Sequence, residues 1–255
     1  MPLFSDSAYR LFNNYGFNVL RRPAAGLAVL DVLVRDDVLA RLDTLANVVQ
    51  LDAPLPLPLT PEPAVSLDGQ LTSPAHIDSA LGDLRMWLRA LGGVATPKDP
   101  APAFAAARFL QFRVDAPMTV RLPPYTLAAS IDKARVAPTS RLSRYLQDRN
   151  TDIYVVSEIL RTDRVTVQAL DVGSSPVRID VPALADAVGP NLKVSTGSVG
   201  PSWVTCQGRA PVTFAFRVVR VRRSKSGKLS NDVNGAVAGR DESVLFAPGT
   251  LVAVS

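Results

Sequence analysis

Cysteine and histidine are scarce in this sequence, and their scarcity excludes several kinds of site. The 255 residues include one cysteine, Cys206, and one histidine, His76. A single cysteine cannot form a disulfide within the chain, and the two residues together cannot supply the ligands of a usual Cys/His zinc site. We therefore expect no cofactor, no structural metal and no redox role, and we expect Cys206 to be an inert core residue.

Motifs for catalysis are missing as well. The sequence has no Gly-x-Ser-x-Gly elbow to supply a nucleophile to His76, and it has no Gly-x-Gly-x-x-Gly or Walker motif for a nucleotide. The carboxylate pairs Asp36-Asp37 and Asp241-Glu242 are more simply a helix cap and a solvated linker. The sequence predicts that the chain is not an enzyme. An enzyme of unrecognised type, tested by replacing His76, is a remote alternative.

Long apolar runs are also absent, although apolar residues make up 47% of the chain. No stretch reaches the roughly 18 consecutive apolar residues of a transmembrane helix, and the first residues lack the pattern of a signal peptide. The apolar content nevertheless supports a large core. We expect a chain that is made soluble and stays in the cytoplasm.

Positive charge exceeds negative charge by a modest amount. The chain has 28 Lys and Arg against 23 Asp and Glu, a net charge of +5. This excess favours anionic partners, but the basic residues are not clustered as densely as in a dedicated nucleic-acid binder. Charge alone leaves membrane lipids and nucleic acid open as partners.

Periodicity in the first half of the chain predicts helices and strands separated by Pro-rich connectors. The predicted helices cover a short segment ending at Gly16, residues 36–49, and residues 73–92, where Ser73 is the cap and Gly92-Gly93 the stop. Strands are predicted at residues 17–23 and 27–34. Proline at close intervals makes residues 51–63 and 96–103 extended connectors.

The second half of the chain is predicted to be mostly β. The pattern indicates strand, turn and strand within residues 107–122 and a short helix at 139–149. A hairpin is predicted over residues 152–170, with its turn near Arg161 to Asp163, and a helical turn at 181–189. Alternating apolar residues predict a long half-buried strand at 211–223. The expected fold is α+β, with a central twisted, mostly antiparallel sheet and peripheral helices.

Three stretches of the chain, taken in this order, carry a family resemblance. They are LFNNYGFNVLRRPAAGLAVLDVL, residues 11–33, RYLQDRNTDIYVVSEILRTDRVTVQA, residues 144–169, and GRAPVTFAFRVVRV, residues 208–221. Together they resemble the gasdermins, the pore-forming proteins of pyroptosis and of bacterial antiphage defence. The first resembles the opening helix and first two strands of that family, the second a helix and the hairpin after it, and the third the closing strand of the pore-forming domain. The resemblance covers most of the chain, from about residue 3 to 222, and implies a gasdermin N-terminal-domain-like fold.

The short segment after the last long strand is similar to that of bacterial gasdermins, whereas animal members carry a large helical repressor domain. The resemblance therefore implies a pore-forming domain (residues 1–224), a flexible cleavable linker (225–240) and a C-terminal autoinhibitory peptide (241–255). The apolar residues of the peptide are Val244, Leu245, Phe246, Leu251, Val252 and Val254. Candidate positions for cleavage are Leu229, Asn234, Arg240 and Leu245, and the sequence does not choose among them.

The same resemblance implies a resting monomer that is activated by a protease encoded nearby, of caspase-like or trypsin-like type. After cleavage, the protein would assemble into a large homo-oligomeric pore in the inner membrane and kill the infected cell. Bacterial members commonly carry a palmitoylated cysteine within the first few residues. Residues 2–7 here read PLFSDS, with Ser5 near that place, so no lipidation is predicted.

A pore former also needs strands that can enter a bilayer, where every backbone donor and acceptor must be paired. The predicted hairpin 152–170 offers one apolar face for this role, and an ordinary amphipathic sheet is the alternative interpretation. The residues of that face are Ile153, Val155, Ile159, Val165, Val167 and Ala169.

Other residues are candidates for contact with lipid headgroups and the interface, although they could instead pack on the sheet or form a solvated basic rim. These candidates are Phe4, Leu11, Phe12, Arg21, Arg22, Arg220, Arg222 and Arg223. The rival interpretation of the whole chain is a cytosolic basic binding or scaffold module for nucleic acid. It is disfavoured because no aromatic residues are interleaved with the basic stretch 220–228.

Overall fold

The computed structural model describes residues 16–24, 26–36, 38–50, 61–63, 67–71, 77–93, 98–132, 134–136, 140–146, 151–196, 200–223, 229–231, 246, 252 and 254. The strands in these ranges are β1 (Asn18–Ala24), β2 (Asp31–Arg35), β3 (Leu39–Thr44), β4 (Val49–Gln50), β5 (Glu62–Pro63), β6 (Leu67–Leu71), β7 (Phe109–Val114), β8 (Met118–Arg121), β9 (Arg135–Val136), β10 (Asp152–Leu170), β11 (Lys193–Thr196), β12 (Trp203–Arg223) and β13 (Leu229–Asn231). The helices are α1 (Leu45–Val48), α2 (Ile77–Gly92), α3 (Pro124–Asp132), α4 (Leu142–Tyr145) and α5 (Val181–Val188), with a 3-10 turn at Ala101–Phe104.

Two long antiparallel strands, β10 and β12, form the centre of the sheet. β1 lies beside β12 and β2 beside β10, which gives the strand order β1-β12-β10-β2-β3. β7 and β8 also pair with β10, and β11 and β13 pair with β12. The pairings between these strands are all antiparallel. The predicted α+β class, with a mostly antiparallel central sheet and peripheral helices, is confirmed.

Two clusters of buried residues divide the molecule along the central strands. One cluster, the α2 core, joins α2, α5 and β7 to the later part of β10 and the earlier part of β12, and includes Leu84, Leu110 and Phe214. The other, the α3 core, joins β2, β3 and α3 to the earlier part of β10 and the later part of β12, and includes Leu127 and Phe216. The central strands are therefore covered by apolar side chains at both ends.

The two halves of the sheet meet at an irregular level that we call the waist, formed by residues 115–117, 162–164 and 208–211. β7 and β8 pair with β10 in one continuous register, since Val114 faces Val165 and Met118 faces Arg161. Residues 115–117 interrupt them, and Ala116 there has φ 42°. On the other side of β10 the register shifts, because Val212 faces Thr162 whereas Gln207 faces Arg164. Residues 208–211 therefore bulge out of the ladder opposite the single residue Asp163.

Several predicted elements are confirmed by the structure. The apolar stripe predicts α2 and its stop at Gly93, which has φ 62° as a left-handed C-terminal glycine does. Strands β1 and β2, the short helix α4, helix α5 and the long strand β12 all occur within their predicted ranges or a few residues from them. The opening helix, Ser73 and His76 lie outside the described residues. None of the described helices has the length and apolar character needed to cross a bilayer.

Two predictions of secondary structure are wrong. Most of the helix predicted at residues 36–49 is the strand β3, followed by the single turn α1. The hairpin predicted within residues 152–170 does not turn near Arg161 to Asp163, because β10 is one continuous strand of 19 residues with bulges at that level. In both cases pairing with another strand decides the conformation, which the spacing of apolar residues does not report.

A third prediction is partly right. The strands predicted within residues 107–122 are present as β7 and β8, but the segment between them does not reverse the chain. Both strands run along the same neighbour, β10, in the same direction. The turn residues therefore form a break in one extended path rather than a hairpin loop.

Candidate regulatory site at the ends of the sheet

Three residues of the predicted autoinhibitory peptide are described, and all three pack on the α3 core. Val252 is buried there, with 6% of its surface exposed, and Phe246 and Val254 are partly buried against the same cluster. Val244, Leu245 and Leu251 lie outside the described residues. The peptide and the sheet are thus in direct apolar contact at these three positions.

Phe246 occupies an aromatic pocket made by the central strands. Its ring meets that of Tyr154 edge to face, with 4.7 Å between centroids, and lies 6.1 Å from the ring of Phe216. The Arg35 guanidinium lies 5.8 Å from the Phe246 centroid, within range of a cation–π contact. The backbone N–H of Phe246 donates to Oδ1 of Asn18 at 2.8 Å. The side chain and the backbone of this residue are therefore both held.

The pocket is itself held by polar contacts. The hydroxyl of Tyr154 donates to Oδ2 of Asp152 at 3.1 Å, and Arg220 forms an ion pair with the same carboxylate. Asn18 is 1% exposed, although it is polar. A buried amide beside an apolar cluster must be hydrogen-bonded, and the N–H of Phe246 is one of its partners.

Val252 and Val254 join the peptide to both ends of the strand order. The N–H of Val252 donates to the carbonyl of Val19 at 2.7 Å, and Val252 forms a parallel bridge with Leu20 on β1. Val254 forms a parallel bridge with Leu39 on β3. β1 and β3 are the terminal strands of the order β1-β12-β10-β2-β3. The peptide therefore contacts both ends of this sheet within a few residues.

The strand directions agree with this placement. Four antiparallel pairings separate β1 from β3, so the two strands run in the same direction. A segment that bridges both of them must be parallel to both or antiparallel to both, and both bridges are parallel. The geometry of the peptide is consistent with that of the whole sheet.

The β3 end is fixed by charged groups. Asp31 is fully buried and makes a two-point ion pair with Arg41 on β3, with N–O distances of 2.8 and 3.0 Å. The carboxylate also accepts from the N–H of Ala28 at 2.8 Å. At the far end of β3, hydrogen bonds from the Asn47 side chain and the Thr44 N–H hold the pKa of Asp43 below its usual value. β3 is thus anchored to β2 and α1.

A polar network spans the waist. The Thr162 hydroxyl lies 2.9 Å from the carbonyl of Asp115 and accepts from the N–H of Arg164 at 3.0 Å. Gln207 on β12 donates to Asp163 at 2.7 Å, and Arg164 donates to the same carboxylate at 3.1 Å. Side chains of β10 and β12, together with the backbone between β7 and β8, thus supply hydrogen bonds where the ladder is interrupted.

The six apolar residues predicted to enter a membrane are all buried here. They belong to both cores. Ile153, Val155 and Ile159 contact the α3 core, whereas Val165, Val167 and Ala169 contact the α2 core. The bulges at the waist separate the two groups.

Among the predicted membrane contacts, Arg22 and Arg222 are exposed, and Arg220 is half-buried in its ion pair with Asp152. Phe4, Leu11 and Phe12 lie outside the described residues, as does Ser5, and so do the side chains of Arg21 and Arg223.

The candidate cleavage positions differ in their surroundings. Leu229 is 2% exposed in β13, which pairs with β12, so cleavage there first requires β13 to detach. The sheet thus extends beyond the predicted domain boundary at residue 224 and into the predicted linker. Asn234, Arg240 and Leu245 lie outside the described residues.

Within the described part of the chain, no three His, Cys, Asp or Glu residues are grouped so as to hold a metal ion. Cys206 is fully buried in the α2 core, as expected for an inert thiol.

Sequence reasoning missed the pocket for Phe246. The polar Asn18 inside an apolar strand and the single Tyr154 among aliphatic residues were the available signals.

Comparison with known proteins agrees with this architecture. The profile of the Bacterial Gasdermin Family matches residues 20–233. The chain is 27% identical over 225 residues to the gasdermin of Lysobacter enzymogenes, covering 87% of this chain and 82% of that protein. It is 27% identical over 219 residues to the gasdermin of a Desulfuromonadales bacterium, covering 85% of this chain and 81% of the relative.

A solved structure shares the fold. The bacterial gasdermin from Bradyrhizobium tropiciagri superposes with a TM-score of 0.64 at 14% identity, covering 98% of this chain and 96% of that one. The family profile spans most of the sequence, including the central strands β10 and β12. This chain belongs to the bacterial gasdermin family.

Proposed function

We propose that this chain is an autoinhibited pore-forming protein in which the C-terminal peptide, residues 241–255, represses the rest of the molecule. Gasdermins are a pore-forming family. The observation that carries the proposal is the position of the peptide, which contacts β1 through Val252 and β3 through Val254. A segment that joins both ends of the sheet restrains any rearrangement of those ends.

The strength of this contact suits an inhibitory peptide that acts only while it is covalently attached to the domain. Full burial of an apolar side chain such as Phe or Val stabilises by about 1.5–3 kcal/mol, and Phe246 and Val254 are only partly buried. A tethered peptide experiences an effective concentration on the order of millimolar, which a single cut removes. Cleavage is therefore expected to release the peptide, although the cut removes none of the side chains with which the peptide contacts the sheet.

The same geometry narrows the region of cleavage. β13 ends at Asn231, and the next described contact of the chain with the sheet is at Phe246. We place the cut between these residues, a segment that includes Asn234, Arg240 and Leu245. Arg240 suits a trypsin-like protease, and a caspase-like or leucine-directed protease would choose another bond. The protease is proposed to be encoded nearby.

The proposed pore also needs strands that enter the bilayer. Since β10 does not fold back on itself, we assign this role to the part of β10 beyond the waist together with its antiparallel neighbour, the beginning of β12. Val165, Val167 and Ala169 alternate there with Thr166 and Gln168, so an apolar and a polar face are both available. The intact protein would be a cytoplasmic monomer, and the cleaved form a homo-oligomer in the inner membrane that kills the infected cell.

The test is leakage of dye from anionic vesicles. Residues 232–240 are replaced by the recognition sequence of a site-specific protease, and a scrambled version that resists the protease serves as the matched control. We expect leakage only from the cleavable variant and only after cutting. Equal leakage before and after release of the peptide, or none in either state, would rule out the proposed function.

A further inference from the structure

The peptide occupies the space between two strand edges that have the same direction. Among the described residues, β1 and β3 terminate the strand order, and each is bridged by one valine of the peptide. When the peptide leaves, the carbonyl of Val19 loses its hydrogen bond from Val252, and Leu39 loses its bridge to Val254. Both changes expose backbone groups at a strand edge. Open edges are templates for pairing with another chain.

The direction of these edges selects the kind of pairing. Two copies related by a two-fold axis would bring β1 against β1 in antiparallel fashion. Copies related by rotation in one sense keep their orientation, so the β1 edge of one copy meets the β3 edge of the next, and the two must be parallel. β1 and β3 are parallel to each other in this chain. The edges therefore fit a head-to-tail contact, the kind that can close into a ring.

The peptide also fixes the approximate level of this contact. Val252 faces Leu20 in parallel, and Val254, two residues later, faces Leu39. β1 is irregular between Val19 and Ala24, so it is the part of β1 just after Leu20, which includes Arg22, that lies near the level of Leu39 across the peptide.

We infer that, after release of the peptide, the β1 edge of one copy pairs in parallel with the β3 edge of a second copy, near the level of Arg22 and Leu39. The peptide thus blocks assembly by occupying the place of the neighbouring protomer's strand. This inference rests on the proposed function, and it adds the surface, the partner and the direction of the contact.

Disulfide trapping tests this contact. Arg22→Cys and Val38→Cys are introduced singly into a Cys206→Ala background, because both positions are exposed, Val38 by 67%, and the proposed opening of the α2 core would uncover the native thiol. The cleavable forms of the two variants are mixed on anionic vesicles, cut and oxidised. We expect disulfide-linked dimers from the mixture, no dimers from either variant alone, and a ladder of larger species from the double variant. Uncut protein should give none of these.

The controls separate this inference from the proposed pore. Val172→Cys, at a position that is 73% exposed at the other end of β10, is mixed with Arg22→Cys as a measure of random collision. If the vesicles leak but the mixture of Arg22→Cys and Val38→Cys gives no dimers, or gives no more dimers than the control mixture, the inference is wrong. The proposed pore function then still stands. An internal disulfide in the double variant without dimers in the mixture overturns it too. Dimers without leakage would support the contact and reject the pore.

Discussion

Gly208 sets how closely helix α2 approaches the sheet. A Cβ atom at this position would lie 2.4 Å from the backbone carbonyl oxygen of Leu91, the penultimate residue of the helix. Because the contacting atom belongs to the backbone, it cannot move aside by a change of rotamer. The resemblance of this segment to the closing gasdermin strand gave no hint that its first residue contacts a helix.

Gly208→Ala should therefore destabilise the protein. Overpacking of this kind costs about 1–3 kcal/mol, and we expect a loss of that size in the free energy of unfolding, measured with urea. Gly82→Ala on the same helix is the matched control, since a Cβ atom at Gly82 would have no neighbouring atom within 4 Å and alanine favours the helix. If the two substitutions changed stability equally, the close contact would have no energetic role.

Phe246 should be the strongest single contact of the described part of the peptide. Phe246→Ala removes the ring contacts with Tyr154 and Phe216, and it should weaken binding of the attached peptide to the sheet by up to about 3 kcal/mol. We expect the uncut variant to leak dye from vesicles without protease. Tyr125→Ala, at a position that is 74% exposed, is the control and should stay silent until it is cut. If the uncut Phe246→Ala protein caused no more leakage than its uncut parent, this assignment would be wrong.

Among the elements, the waist is the level at which the two halves of the sheet are joined by side chains. Thr162 is 1% exposed, and its hydroxyl accepts from the N–H of Arg164 and contacts the carbonyl of Asp115. Valine has nearly the same shape but no hydroxyl. Thr162→Val leaves the Arg164 N–H without this acceptor, at a cost of about 1–3 kcal/mol.

Hydrogen exchange should localise this effect. We expect faster exchange in Thr162→Val at the end of β10 beyond the waist and at the start of β12, with little change in β2 and β3. Thr126→Val on the exposed side of α3 is the control. Uniform acceleration in all strands would show that the two halves do not open separately.

The same elements show how far local sequence reasoning reaches. α2 and β12 were predictable because their apolar periodicity matches the face that each one buries. β3 was not, since its residues fit a helical stripe and only pairing with β2 settles their conformation. The residues from Arg161 to Asp163 read as a turn, but Thr162 contacts Asp115 and Asp163 accepts a hydrogen bond from Gln207, and both partners are distant in sequence.

The candidate site was predictable to a similar degree. Phe246, Val252 and Val254 stood out as apolar residues near the end of the sequence, and all three contact the α3 core. The sequence did not connect these residues with their partners, because Asn18, Arg35 and Tyr154 come from three different strands. Such pockets depend on the order of strands in space, which no local pattern reports.

For the whole molecule, release of the peptide changes the net charge. Residues 241–255 contain Asp241 and Glu242 and no Lys or Arg, so 28 basic residues then face 21 acidic ones, and the net charge rises from +5 to +7. Each positive charge near an anionic membrane contributes about 1 kcal/mol. We expect tighter binding to anionic vesicles after cleavage, and screening of this gain at about 1 M salt, where the Debye length is about 3 Å.

A charge variant separates this effect from the release itself. The uncut Asp241→Asn, Glu242→Gln double variant has the same net charge as the cleaved domain, but it keeps its peptide. It should bind anionic vesicles more tightly than the parent, as measured by co-sedimentation, without causing leakage. Leakage from this uncut variant would mean that charge, rather than occupation of the strand ends, maintains the resting state.

The parallel bridges of Val252 and Val254 also bear on how such a protein can diversify. The described contacts between the peptide and the sheet start at Phe246, whereas the proposed cut falls between Asn231 and that residue. The intervening sequence can therefore be rewritten for a protease of different specificity without altering any of these contacts. The segment that the protease would recognise and the segment that contacts the sheet are therefore separate, and one can change during evolution while the other is kept.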